Sequence, residues 1–186
     1  MNDKDTNRVL AIMDEINTVP RQSNHLEKIH PWIMDWGRRQ GFDVKTDSAQ
    51  NILITVPATP GYEKSPTIVL QGHMDMVCEK RSDVEHDFRK DPVISWRDGD
   101  WLRAKGTSLG ADNAIALALF FDLATDPEAE HPKLEILVTA DEETGLVGAQ
   151  NMEAGFLTGT VLMNLDSEDE GVFTIGCAGG MDTNLN

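Results

Sequence analysis

The sequence has few cysteines and few basic residues, and it has no long hydrophobic run. Its two cysteines, Cys78 and Cys177, are far apart and form no C-x-x-C motif. A pair this isolated does not make a disulfide framework, so a reducing compartment is expected, although one disulfide is conceivable. The polar N-terminus has no apolar core of a signal peptide, and no run of about 18 apolar residues occurs. The sequence therefore predicts a cytoplasmic protein that does not span a membrane.

Positive charge is scarce as well. Acidic residues outnumber basic residues 32 to 16, and the formal net charge is −16. Because no Lys/Arg cluster could follow a phosphate backbone or an anionic membrane surface, neither nucleic acid nor a membrane is an expected partner. The acidity has two interpretations, which are solubility and a group of carboxylates that holds cations. The remaining composition, with 40% hydrophobic residues over 186 positions, is typical of one globular α/β domain.

Apolar patterns along the chain predict alternating helices and strands. Helical spacing predicts four helices, at about 7–18, 24–41, 114–123 and 145–155. The second is expected to have a capping-box-like start at Asn24 and, at Pro31, either a kink or a loose first turn. Short β-rich runs predict strands at 42–46, 51–56, 67–70, 93–96, 101–103, 134–139, 160–165 and 172–175. Because strands and helices alternate, we expect an α/β fold with a mostly parallel sheet and helices on both faces.

The stretch Gly72-His73-Met74-Asp75 follows the predicted strand that begins at Thr67. Side chains two apart on an extended chain point the same way, so His73 and Asp75 are expected side by side at the carboxyl end of a strand. Open α/β sheets bind their ligands at that end. A metal-binding imidazole usually donates its second N–H to an acceptor such as a carboxylate. A solvated strand end explains the tripeptide equally well when it is taken alone.

Other acidic residues follow other predicted strands. Glu142 and Glu143 come after 134–139, Asp166 comes after the expected buried strand 160–165, and Asp112 lies in a glycine-rich loop. Each has an ordinary alternative, such as a charged surface or, for Asp112, a helix N-cap. Together they are expected to converge with His73, and buried carboxylates need cations to neutralise them. Imidazole and carboxylate ligands without thiols suit Zn²⁺, or Mn²⁺ or Co²⁺.

Four ordered motifs carry a resemblance to a known family. They are Gly72-His73-Met74-Asp75, Gly110-Ala111-Asp112-Asn113, Asp141-Glu142-Glu143-Thr144-Gly145 and Asn164-Leu165-Asp166-Ser167-Glu168. In order and spacing they resemble the two-zinc peptidases related to carboxypeptidase G2, peptidase T and succinyl-diaminopimelate desuccinylase. Segments 103–107, 168–171 and 176–180 resemble the aminoacylhistidine dipeptidase branch, which hydrolyses carnosine.

The resemblance implies a role for each residue. His73 would bind the first zinc, Asp75 would orient the His73 ring, and Asp112 would bridge both metals. Glu143 would bind the second zinc, Asp166 would complete the first, and Glu142 would be the general base. It also implies a cis peptide bond between Asp112 and Asn113, a small dipeptide substrate, and a homodimer in the full-length protein.

This sequence lacks one metal ligand and one domain that the family pattern includes. The family places a histidine on the second zinc far downstream, and none of the remaining histidines (His25, His30, His86 and His131) occupies that position. Residues 1–186 are therefore expected to be the N-terminal part of a metallopeptidase catalytic domain, without its lid domain and C-terminal part. The alternative is a catalytically inactive metal-binding or interaction fragment. We expect the isolated 186 residues to be inactive.

Overall fold

The computed structural model describes residues 3–167 and 171–176. Its helices, in chain order, are α1 (Asp3–Asn17), α2 (Ile29–Arg39), α3 (Ala111–Thr125) and α4 (Val147–Gln150). Its strands are β1 (Asp43–Thr46), β2 (Ile52–Val56), β3 (Ile68–His73), β4 (Ser95–Asp98), β5 (Trp101–Ala104), β6 (Leu134–Thr139) and β7 (Val161–Asn164). Within these ranges, no helix is long and apolar enough to cross a membrane.

The main sheet has five strands in the order β1-β2-β6-β3-β7. Strands β6, β3 and β7 run parallel, whereas β1 and β2 join antiparallel at one side. The predicted α/β fold with a largely parallel centre is therefore confirmed. The parallel register pairs Ile68 with both Leu134 and Val161, so β3, β6 and β7 end at the same edge of the sheet.

A hydrophobic core on one face of the sheet joins it to α1, α2 and α3. Alternate residues of β2 and β6, such as Ile54 and Ile136, pack there against the apolar helix α3. The opposite residues, Leu53 and Leu137, form a smaller cluster with Phe156 from the segment after α4. This core fixes the strand ends that carry the polar motifs.

The second helix is shorter than predicted. It begins at Ile29, and Asn24 lies outside it with a left-handed φ of 64°. Pro31 is consequently in the first turn, where its missing N–H breaks no internal helical hydrogen bond. The predicted cap at Asn24 is therefore wrong. Of the two alternatives predicted at Pro31, the kink is wrong, because the proline lies in the first turn.

Predictions near the end of the chain also need correction. The predicted helix 145–155 is only the single turn α4. Strand β7 exists, but all four of its residues are exposed, because β7 is the last strand of the described sheet. Residues 172–176 form no strand, although one was predicted at 172–175. Cys78 is a free thiol, whereas Cys177 and most of the motif segments 168–171 and 176–180 lie outside the described residues.

Candidate metal centre

His73 ends β3, and its ring is held by the residue two positions later. The Nδ1 atom lies 3.1 Å from the Asp75 carbonyl oxygen and 3.4 Å from the Asp75 Oδ1 atom. Both side chains are at most 1% exposed. Two acceptors at Nδ1 favour a proton there and leave Nε2 as the atom that can bind a cation. The structure therefore confirms the predicted neighbourhood of His73 and Asp75.

Three carboxylates surround the Nε2 atom of His73. The Asp112 Oδ1 atom is 2.8 Å away, and one oxygen each of Glu142 and Asp166 is 3.8 Å away. Burial disfavours the imidazolium, but Asp75, Asp112 and Asp166 outweigh that cost and raise the pKa of His73 to about 9. The protonated ring thus balances the carboxylates, and a metal ion would have to displace its proton.

The potential ligand atoms form two overlapping sets, and within each set the atoms lie within 4.8 Å of one another. One set contains His73, Asp112 and Glu143, and the other contains His73, Glu142 and Asp166. Nitrogen and oxygen donors of this kind fit Zn²⁺, Co²⁺ or Mn²⁺. The structure therefore brings together all the predicted metal ligands and the predicted general base, Glu142. Asp112 is not the N-cap of α3, because Gly110 occupies that position.

Asp75 also holds the loop that carries the two glutamates. Its carboxylate accepts hydrogen bonds from the backbone N–H groups of Glu142 at 3.0 Å and Glu143 at 3.2 Å. The Ser23 hydroxyl donates a further hydrogen bond at 2.8 Å. Burial alone would raise the pKa of Asp75, but His73 and these donors lower it. One ionised carboxylate therefore fixes both an imidazole and the neighbouring loop.

Asn113 connects two strand ends that the sequence left unconnected. Its Oδ1 atom accepts the His73 N–H at 3.2 Å, and its Nδ2 atom donates to the Asp166 Oδ1 atom at 3.0 Å and the Leu165 carbonyl at 2.8 Å. The predicted cis peptide bond between Asp112 and Asn113 is present. Sequence reasoning missed the connecting role of Asn113. Gly72 was the available signal, since a glycine inside a strand often marks a close approach.

The carboxylates of Glu142, Glu143 and Asp166 are partly buried and close to one another. Burial raises the pKa of Glu142, and the nearby Asp166, Glu143 and Asp75 add to that rise against the opposing effect of His73. Burial likewise raises the pKa of Glu143 and of Asp166. A carboxylate whose pKa is raised is a better proton acceptor near neutral pH. The site therefore combines a cation-binding surface with a candidate base.

The chain is similar in sequence and in structure to known dipeptidases. No model of a known protein family matches the chain. The chain is 43% identical over 175 residues to the cytosol non-specific dipeptidase of Escherichia coli (strain K12), a match that covers 94% of the chain and 36% of that protein. It also matches the crystal structure of aminoacylhistidine dipeptidase from Vibrio alginolyticus, with 44% identity and a TM-score of 0.85, over 88% of the chain and 34% of that structure.

A more distant structure has the same fold. Aminopeptidase PepT from Bacillus cereus ATCC 10987 matches 88% of the chain and 44% of its own length, with 23% identity and a TM-score of 0.74. The fold is thus that of peptidase catalytic domains. Over most of its length the chain is homologous to the cytosol non-specific dipeptidase and to aminoacylhistidine dipeptidase, as the motifs predicted. The chain spans about a third of the length of these two relatives.

Proposed function

We propose that this chain forms the metal-binding part of a dipeptidase that hydrolyses Xaa-His and related dipeptides. The observation that carries the proposal is the convergence of the His73 Nε2 atom with four carboxylates near the carboxyl ends of the parallel strands. Homology to dipeptidases supports the choice of reaction. A solvated cluster of surface charges would not place a fully buried imidazole at its centre.

The proposed metal ligands are His73, Asp112, Glu143 and Asp166. Two zinc ions would be shared among them, with Asp112 between the two, and Co²⁺ or Mn²⁺ would suit the same donors. The Asp112 carboxylate belongs to one ligand set with Glu143 and lies 2.8 Å from the His73 Nε2 atom that both sets share, which supports its role as the shared ligand. A histidine for the second ion is still required by the family pattern.

Bound zinc would supply Lewis acidity, which activates a water and polarises the scissile carbonyl. Glu142 would accept the proton of the attacking water on its carboxylate and later return that proton to the leaving amine. Its raised pKa supports this role, because burial and the neighbouring carboxylates both favour a bound proton. Asp75 would keep the His73 ring oriented and would hold the Glu142 backbone in place.

The finer proposals concern the substrate and the setting of the enzyme. The relatives' names, cytosol non-specific dipeptidase and aminoacylhistidine dipeptidase, support a small dipeptide substrate and a cytoplasmic location. We propose further that residues 1–186 are the N-terminal part of a catalytic domain that forms a homodimer when complete. Neither nucleic acid nor a membrane surface is a proposed partner, since the chain carries a net charge of −16.

The test is metal content per chain, measured by elemental analysis after purification without chelator. We expect zinc to be retained by the wild type and by Glu142→Gln, because Glu142 acts on water rather than on metal in this scheme. Asp112→Asn should lose most of the zinc, since it removes the shared carboxylate charge. In the full-length protein, Glu142→Gln should abolish hydrolysis of β-alanyl-histidine.

Full turnover in Glu142→Gln would refute the role of general base. Wild-type chain without zinc, cobalt or manganese would refute the metal centre. We expect the isolated chain to bind metal without rapid hydrolysis, because one ligand of the second ion is missing. Hydrolysis of the dipeptide by the isolated chain with two zinc ions would show that another group completes the site.

A further inference from the structure

Arg21 is a fully buried cation that lies between two of the loops of the metal centre. It is 2% exposed, in the segment that joins α1 to α2. Its Nη2 atom donates to the Gly110 carbonyl at 2.7 Å, and its Nη1 atom lies 3.4 Å from the Asp75 carbonyl oxygen. Its own carbonyl accepts the Met76 N–H at 3.1 Å. One side chain therefore connects the turn after His73 with the loop before Asp112.

We propose that Arg21 is a positioning residue, whose guanidinium fixes the separation between the turn that follows His73 and the loop that precedes Asp112. The inference rests on the proposed function, because it concerns how that site is assembled. His73 and Asp112 belong to different elements, yet their side chains meet at 2.8 Å. Their relative position depends on the two backbone segments that the Arg21 guanidinium contacts, at Asp75 and at Gly110.

The chemistry of the contacts explains why an arginine is needed. Burying a cation among carbonyl groups is costly, and an apolar side chain of similar volume would fill the space at lower cost. Arginine offers instead a rigid planar fork with several donors, which can reach acceptors on separate segments. Its Nε atom has no hydrogen-bond partner within the described part of the chain, and its Nη2 atom donates a further hydrogen bond to the Asn17 Oδ1 atom at 3.2 Å. The guanidinium therefore ties the two loops to each other and to the end of α1.

The backbone around Arg21 is shaped for this approach. Gly110 has a φ of 67°, and a side-chain carbon at that position would overlap the Arg21 Nη2 atom. The next residues contact the same site: the Ser23 hydroxyl bonds to Asp75, and the Asn24 N–H bonds to the Asp141 carboxylate at 2.6 Å. The segment after α1 therefore touches three of the loops that carry the candidate ligands.

The alternative role for Arg21 is electrostatic, and it predicts the opposite sign. Asp75 and Asp112 are close enough to stabilise the Arg21 charge. If Arg21 acted on the site through its charge alone, removing it would make the site more negative and would strengthen cation binding. If Arg21 holds the loops together, removing it lets them separate and weakens cation binding. The direction of the change therefore distinguishes the two roles.

The experiment compares the 186-residue wild-type chain with Arg21→Met, Arg21→Lys and the control Arg8→Met. Arg8 is the matched control, since it pairs with Asp122 on α3 and with Asp126 just after that helix, and none of these contacts involves a candidate ligand. Cobalt affinity is measured by absorption titration, and amide hydrogen exchange is measured for residues 74–77 and 110–113. We expect Arg21→Met to bind Co²⁺ at least tenfold more weakly and to exchange faster in those two segments. Arg8→Met should match the wild type in both.

Each outcome decides the proposal. Cobalt affinity in Arg21→Met equal to or higher than that of Arg8→Met would overturn it. Full affinity in Arg21→Lys would overturn it too, because one ammonium keeps the charge but lacks the guanidinium fork. Weak binding in both Arg21 variants would support it. If the wild type binds no cobalt, the proposed function fails. Hydrogen exchange then decides alone, since faster exchange confined to the two loops supports the positioning role and uniform exchange refutes it.

Discussion

At the scale of single residues, Gly72 shows how closely the site depends on the strand beneath it. A side-chain carbon at Gly72 would overlap the Oδ1 atom of Asn113. That oxygen accepts the His73 N–H, and the same amide donates to Asp166. Two candidate ligands are therefore linked through one amide, which fits only because residue 72 has no side chain.

We expect Gly72→Ala to weaken metal binding as well as stability. The new methyl group must displace Asn113, and overpacking of this kind costs about 1–3 kcal/mol. Gly37→Ala is the matched control, since its methyl group would lie 2.7 Å from a Val44 methyl group, far from the ligands. Denaturant unfolding and cobalt titration should show that both variants lose stability but only Gly72→Ala loses affinity. Equal cobalt affinity in the two variants would refute the link through Asn113.

The ligand residues could be predicted from sequence, and the residues that hold them could not. His73, Glu142 and Asp166 follow apolar strand patterns directly, so their positions come from the periodicity of the strands. Arg21 and Asn113 act through contacts with segments 89 and 52 residues away. No local pattern records such pairings, because a polar residue in a loop has the same local sequence whether it is solvated or buried.

At the scale of elements, Glu135 connects β6 to the segment before β7. Its side chain is 1% exposed, and its carboxylate accepts the backbone N–H groups of Thr158 at 2.9 Å and Gly159 at 3.0 Å and the Thr158 hydroxyl. Lys133 adds an ion pair at 3.2 Å. Burial alone would raise the pKa of Glu135, but these donors lower it to about 2.

This lowered pKa predicts a specific dependence of stability on pH. Because the folded pKa lies below the unfolded value of 4.5, ionised Glu135 stabilises the fold above pH 4.5 and loses that effect as the pH falls towards 2. Glu135→Gln should therefore cost on the order of 2 kcal/mol at pH 7. Denaturant unfolding should show this difference shrinking between pH 4.5 and pH 2. Glu15→Gln, which removes the same charge at an exposed position on α1, is the control for the change in net charge. A pH-independent difference at Glu135 would contradict the assignment.

Element boundaries were predicted less well than element order. The antiparallel pair of β1 and β2 and the hairpin of β4 and β5 were correct, since turn residues mark both. Asn24 and Pro31 misled the prediction for α2, because side-chain patterns alone do not reveal which turn of a helix a proline occupies. Strand β7 has the apolar sequence of a buried strand, but burial depends on neighbouring strands rather than on its own residues.

At the scale of the whole molecule, several exposed apolar residues lie on the last strand of the described sheet and in the described segment that follows it in sequence. On the outermost strand β7, Val161, Leu162 and Met163 are 43–52% exposed, and Phe173 and Ile175 in the following segment are 88% and 103% exposed. An unpaired strand edge with apolar side chains favours association between chains. The net charge of −16 opposes that association.

We expect the 186-residue chain to self-associate at micromolar concentrations, and more strongly as salt screens its charge. Leu162→Lys should shift it to monomer, because the substitution places a hydrated ammonium on β7. The added positive charge lowers the net repulsion between chains, so a loss of association could not be attributed to charge. Ile94→Lys makes the same charge change at a residue that is 59% exposed outside the sheet and should leave association unchanged. Sedimentation velocity over a range of concentrations measures this, and equal behaviour of the two variants would place the contact elsewhere.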